Sequence, residues 1–93
     1  VSATYSFEAA PAFWKSYRRL IPAHQEAAKH AWQIFKRDPF DPRLGTRKIH
    51  SLSARAKETV YSVVVAADLR VIFVLRGSAV YTLDIGSHAL YRT

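Results

Sequence analysis

Residues 59–85, TVYSVVVAADLRVIFVLRGSAVYTLDI, decide the fold. Three runs rich in Val, Ile, Tyr and Phe occupy this stretch, Thr59–Ala67, Arg70–Leu75 and Ala79–Ile85, and such residues favour the pleated, half-buried surface of a sheet. The links between them are short. Ala67-Asp68-Leu69 makes a tight connection, and Arg76-Gly77-Ser78 carries a hairpin signature. Strands consecutive in sequence and joined this way form an antiparallel meander. Side chains alternate along a strand, so Val71, Phe73 and Leu75 point one way while Arg70, Ile72, Val74 and Arg76 point the other. One face is therefore apolar, and the other has an apolar middle with basic ends. The second face suits a partner or ligand, or is simply a mixed surface.

Upstream, the alternation predicts a further strand over Arg47–Leu52, followed by a polar loop, Leu52–Glu58, that carries Arg55 and Lys57. Before it the period changes to helical. Phe13, Trp14, Tyr17, Leu20 and Ile21 recur on one side of a helix opened by Pro11, with Lys15, Arg18 and Arg19 on its solvated side. Pro22 ends that helix and starts a second, whose apolar positions are Ala27, Ala28, Ala31, Ile34 and Phe35 and which stops before Asp38-Pro39. Trp14 and Trp32 are assigned to packing. Thr4–Phe7 reads as a short N-terminal strand. The expected architecture is an α+β domain. A two-helix hairpin packs, through Phe13, Tyr17, Ala27, Ala31 and Phe35, on one face of a mainly antiparallel sheet of four to five strands. Residues 1–93 read as a single domain, with no internal repeat or linker.

Composition narrows the function. Lys and Arg outnumber Asp and Glu by 14 to 7, a formal charge of +7, which attracts polyanions such as nucleic acid or simply keeps a small protein soluble. There is no cysteine, which rules out a disulfide framework and a thiolate metal site. There is no methionine either, so at least one residue is expected before Val1. No apolar run approaches the ~20 residues of a membrane span and no signal-like segment is present, so the expectation is a cytoplasmic protein with no membrane contact.

Three stretches carry a resemblance. FKRDPFDPRL (35–44) closes the helical pair with a Phe and a Pro-rich turn before a leucine. RKIHSL (47–52) is followed by VYSVVVAADLRVIF (60–73), a basic strand, then a Tyr-Ser strand, then an Arg opening the next strand. IGSHALYR (85–92) ends the chain with Gly-Ser-His and an aromatic. In order and spacing they resemble the RelE/ParE superfamily of bacterial toxins, over essentially the whole chain. That resemblance implies the toxin of a type II toxin–antitoxin system, with a cognate antitoxin protein as partner and no cofactor or metal. For the RelE, HigB and YafQ branches it implies inhibition of translation by a ribosome-associated mRNA endoribonuclease, an mRNA interferase, with ribosome and mRNA as partners. For the ParE branch it implies poisoning of DNA gyrase, and an inactive nucleic-acid-binding member is a third reading. One departure is Val65. Many ribonuclease members have a cation at the matching position, five residues before the one matching Arg70. This favours the gyrase reading unless neighbouring cations compensate.

Metal-free RNA cleavage needs the 2′-hydroxyl deprotonated, the phosphate's growing charge stabilised and the leaving 5′-oxygen protonated. The candidates for these tasks are His88, Arg70 and Tyr91. An imidazole exchanges protons near neutral pH, and His88 follows the flexible Gly86-Ser87 pair. A guanidinium binds phosphate in bidentate fashion, although Arg70 could instead pair with Asp68 or Asp84. Tyr91 stacks on a base, assists proton transfer or plugs the last turn. Candidate RNA-binding residues are Arg43, Arg47, Lys48, His50, Arg55, Lys57 and Arg76. Of these, Lys48 and His50 are expected on one side of their strand with Leu52.

Overall fold

The structure, a computed structural model, describes residues 4–87. The chain opens with strand β1 (Ser6–Ala9), then runs through helices α1 (Pro11–Arg18) and α2 (Pro22–Phe35) and a 3₁₀ turn (Pro42–Leu44). Strand β2 (Arg47–Lys48), helix α3 (His50–Ala56) and strands β3 (Val60–Ala66), β4 (Leu69–Arg76) and β5 (Ala79–Ser87) follow. Both long helices begin on proline, whose fixed φ suits the first turn and whose missing N–H is not needed there. Ala10 and Ile21, the extended residues just before them, break the chain direction. Ile21 is consequently 58% exposed, and its place on the apolar side of α1 is corrected.

The five strands form one sheet in the order β1-β5-β4-β3-β2. The meander β2 to β5 is antiparallel, as the short turns require. β1 adds to it in parallel, Phe7 opposite Val80 and Ala9 opposite Thr82. The first strand lies slightly later than expected, at Ser6–Ala9 rather than Thr4–Phe7, because helix α1 begins only at Pro11.

α1 and α2 cover one face of the sheet, α1 over β5 and α2 over β3. Ala31, Phe35, Leu44, Val63, Val71, Phe73 and Ile85 are buried between the layers, with Phe13, Tyr17 and Ala28 packed against them. Ala28 thus takes the place expected of Ala27. Phe73, fully buried, is the hub. Phe35 meets it edge-on at 5.1 Å and Tyr61 stacks on it at 5.3 Å between ring centroids. Phe40, on the loop after α2, packs in turn on Tyr61 at 5.1 Å.

Residues 47–58 correct the sequence reading. Only Arg47 and Lys48 are strand, and the predicted remainder of that strand and its polar loop form α3. The alternation Lys48, His50, Leu52 is real, but Ile49, Leu52 and Ala56 also recur at i, i+3 and i+7, a helical stripe. Ser53 decides between them. Its hydroxyl donates to the Ile49 carbonyl at 2.7 Å, one helical turn back, and accepts the Val60 N–H at 2.9 Å from the first residue of β3. The Ile49 N–H donates in turn to the Val60 carbonyl at 2.8 Å. The helix closes at Lys57, whose φ of 58° lies in the left-handed region. Through Leu52, α3 reaches a second, smaller cluster of Val60, Ile72 and Val74 on the sheet face opposite the helical pair. A third, short helix therefore lies against that face, where the sequence had placed none.

Among the described residues no helix is long and apolar enough to cross a membrane.

Candidate nucleic-acid interface

The register of the sheet sorts the candidate residues, because directly paired residues share a face. Arg47 pairs with Ser62, Ser62 with Ile72, and Ile72 with Asp84, giving one row across four strands. In the next row Val64 pairs with Arg70 and Arg70 with Gly86. At the other end Val60, Val74 and Tyr81 form a third row, the one covered by Leu52. The face opposite α1 and α2 thus has an apolar floor at its α3 end and a basic end, uncovered among the described residues, carrying Arg47 and Arg70. Ser62 is buried beneath that end and Val64 is 39% exposed on it.

Arg70 is held by main chain. Its Nη1 donates to the Ala67 carbonyl at 2.8 Å and to those of Ala66 and Leu69 at 3.3 Å, all in or beside the β3–β4 turn. Carbonyl dipoles orient this guanidinium without bringing a counter-charge to it. Asp84 lies on the same face, and its Oδ1 accepts the N–H of Ile85 at 2.8 Å.

Two candidates are tied to carboxylates. Arg43 forks onto Asp41, Nε to Oδ1 and Nη2 to Oδ2, both at 3.0 Å. Asp41 also accepts the Arg43 N–H as cap of the 3₁₀ turn. The Arg43 hydrogen bonds hold the Asp41 carboxyl below the usual range. Arg76 makes the same fork onto Glu58, at 3.1 and 2.9 Å, and lowers its pKa in the same way, while its guanidinium lies 5.4 Å from the centre of the Tyr81 ring. Arg47, Lys48 and Lys57 are exposed and form no ion pair among the described residues. Lys48 pairs with Tyr61, whose ring lies on the helix-covered side, so Lys48 and Arg47 leave β2 in opposite directions. His50 starts α3 and is exposed, so the shared strand side expected for Lys48, His50 and Leu52 does not form. Arg55 falls within α3. His88 and Tyr91 lie outside the described residues.

Val65, the residue that departs from the ribonuclease pattern, packs against the helix-side core. The residue paired with Arg70 is Val64, and the bulge between Val64 and Ala66 leaves Val65 as the extra residue. A cation at position 65 would enter the core, so Val65 does not decide the charge of the open face. Ser62 and Gly86 were missed as neighbours of Arg70, whereas the sequence names Asp84 as a possible partner. Each sits at a register position, and register depends on partners that local sequence does not show.

The class this architecture defines is a small α+β fold, an N-terminal strand and two helices backing a mixed five-stranded sheet with one basic end uncovered among the described residues. Its sequence matches no protein-family model and no curated protein. Solved structures do match, and they are toxins of type II toxin–antitoxin systems. A chain of the E. coli DinJ–YafQ toxin–antitoxin complex superposes with a TM-score of 0.75 at 12% identity, over 98% of this chain and 100% of that one. A chain of the archaeal RelE–RelB complex from Pyrococcus horikoshii OT3 gives 0.69 at 17% identity, over 91% and 96%. The YoeB dimer of Staphylococcus aureus gives 0.68 at 12%, over 92% and 99%. At these identities the likeness is one of fold.

Proposed function

We propose that this chain is the toxin of a type II toxin–antitoxin pair and cleaves mRNA on the ribosome without a metal, in the cytoplasm. The observation that carries the reading is the Arg70–Gly86 pairing on the open basic face, within a fold shared end to end with YafQ, RelE and YoeB. The chain continues from Gly86 to His88 in two residues, a reach of at most about 7 Å, which supports assigning His88 and Arg70 to one phosphate.

In that site Arg70 takes the non-bridging phosphate oxygens and stabilises the charge that grows as the 2′-oxygen attacks phosphorus. His88 moves a proton, either from the 2′-hydroxyl or to the departing 5′-oxygen, and the products are a 2′,3′-cyclic phosphate and a free 5′-hydroxyl. Tyr91 stacks on the adjoining base. Arg47 and Lys57 steer the strand by its backbone charge. The gyrase reading rested on Val65 and on the lack of a full catalytic set of cations; of these, Val65 packs against the helix-side core.

The test is induced expression with mRNA ends mapped by primer extension, alongside growth and circular dichroism. His88→Ala should lower cleavage by about 10²–10⁴-fold with the fold intact. Arg70→Ala should also slow cleavage. Undiminished toxicity of a folded His88→Ala protein would sink the assignment, and DNA breakage without mRNA cuts would replace it with gyrase poisoning.

A further inference from the structure

The sheet face opposite α1 and α2 carries an acid among its arginines. Asp84 stands in one row with Ile72, Ser62 and Arg47, and lies diagonally across β4 and β5 from Arg70. No cation takes it up among the described residues, where the ion pairs join Lys29 to Glu26, Arg43 to Asp41 and Arg76 to Glu58. Arg47 is three strand spacings away, about 14 Å, too far to meet it. Arg70 is turned to the carbonyls of the β3–β4 turn. The carboxylate is nevertheless oriented, since its Oδ1 accepts the Ile85 N–H at 2.8 Å. A negative charge here works against a surface that collects polyanions, so its use lies in the hydrogen bonds it accepts rather than in the field it adds.

Backbone geometry aims it. The β4–β5 ladder slips after Ile72: Ile72 faces Asp84 while Phe73 faces Thr82, which leaves Leu83 as the extra residue of a bulge. Leu83 packs on Val60, Ile72 and Val74, away from the helices, and Asp84 shares the side of Ile72. Two consecutive side chains, one apolar and one acidic, thus reach the same face, where a regular strand would send only one of them. Bulges re-aim side chains in this way beside binding and catalytic sites.

The spacing fits a nucleotide. Arg70 and Ile72 are two residues apart on β4, about 7 Å, and Gly86, opposite Arg70, brings no side chain to crowd them. A phosphate held by Arg70 places its base over Ile72 and Leu83, with the base edge at Asp84. A carboxylate only accepts hydrogen bonds, and its two oxygens suit two neighbouring donors. Of the RNA bases, guanine alone sets two donors side by side, N1–H and N2–H. Adenine and cytosine set a donor beside a bare ring nitrogen, and uracil sets its N–H between two carbonyls. We propose that Asp84 is a specificity-determining residue that selects guanine in single-stranded RNA lying on this face. The proposal rests on the reading of the face as an RNA site and adds to it the identity of the base beside the bound phosphate.

Binding tests this apart from cleavage. Labelled five-residue 2′-O-methyl RNAs, which lack the attacking hydroxyl and stay intact, would carry G, A, C or U at the centre of uridine flanks and be titrated into the full chain by fluorescence anisotropy. The G oligomer should bind roughly tenfold more tightly than the other three, the discrimination of one bidentate side-chain–base pair. Asp84→Ala should bind all four within about twofold of one another. Asp84→Asn keeps an oxygen for the Ile85 N–H and presents a donor beside an acceptor, the complement of adenine, so the advantage of G over A should be lost. This variant carries the test should circular dichroism show Asp84→Ala unfolded. Equal affinities in the wild type, a G preference that survives Asp84→Asn, or an equal gain for all four RNAs, the mark of a charge and nothing more, would overturn the inference. RNA bound without preference would leave the nuclease reading standing. A G preference in a chain that cuts no mRNA on induction would overturn that reading and leave this one.

Discussion

The two faces of the sheet are made from the same strands and do different things. Toward the helices, Val63, Val71, Phe73 and Ile85 are buried under Ala31 and Phe35, and that layer supplies most of the apolar burial. Away from them, Val60, Ile72 and Val74 make a small cluster that one leucine of α3 partly covers, and the strand ends beyond it carry arginine. The lesson is that alternation along a strand lets β4 act as core and as binding surface at once. Stability and recognition are then written on interleaved residues and can be changed separately.

The largest expected effect breaks the first face. Phe73→Ala removes the ring on which Phe35 and Tyr61 converge and should cost about 3–5 kcal/mol. That is comparable to the whole stability of a small domain. Urea denaturation checks it, and a loss under 1 kcal/mol would mean the helix-side layer is not the principal core.

A smaller effect should come from the hinge between the faces. Ser53→Ala leaves the Val60 N–H without its acceptor and frees the α3 turn, at a cost of about 1–3 kcal/mol. Ser53→Thr, which keeps the hydroxyl, should recover most of it. Equal losses in the two variants would show that the hydroxyl is not what holds α3.

The smallest effect on stability should come from the second face. Arg47→Ala should leave the denaturation midpoint almost unchanged while lowering the log–log salt slope of RNA binding by about 1, the value of one phosphate contact. Arg76→Ala should lower that slope less, because Glu58 already holds its guanidinium. Identical slopes for the two variants would erase the distinction between free and paired cations.

What the sequence made legible follows from the range of each signal. The alternation in β3 to β5 and the helical period of α1 and α2 are local, and the meander and the helix-covered face follow from them. α3 was read as a strand end and a polar loop because Leu52 fits both periods, and the choice lies with a hydroxyl that bonds to Val60, seven residues away. The partner of β1 was likewise hidden, since Phe7 meets Val80 across almost the whole chain. At the candidate site Arg70 was legible from its position at the head of a strand. Val64, Ser62 and Gly86 were not, because pairing register brings them together. The exposure of Trp14 and Trp32 was missed for a related reason: an apolar helical stripe shows which side faces the fold but not how far the fold extends beneath it.

The parallel pairing of β1 with β5 also orders the chain's own synthesis. The N-terminal strand emerges first and finds its neighbour last, because Ala79–Ser87 must be made before Ser6–Ala9 has anything to pair with. Contacts so distant in sequence form late in folding, after local helices and hairpins. A nascent chain still short of β5 has neither a closed sheet nor the Gly86 strand beside Arg70.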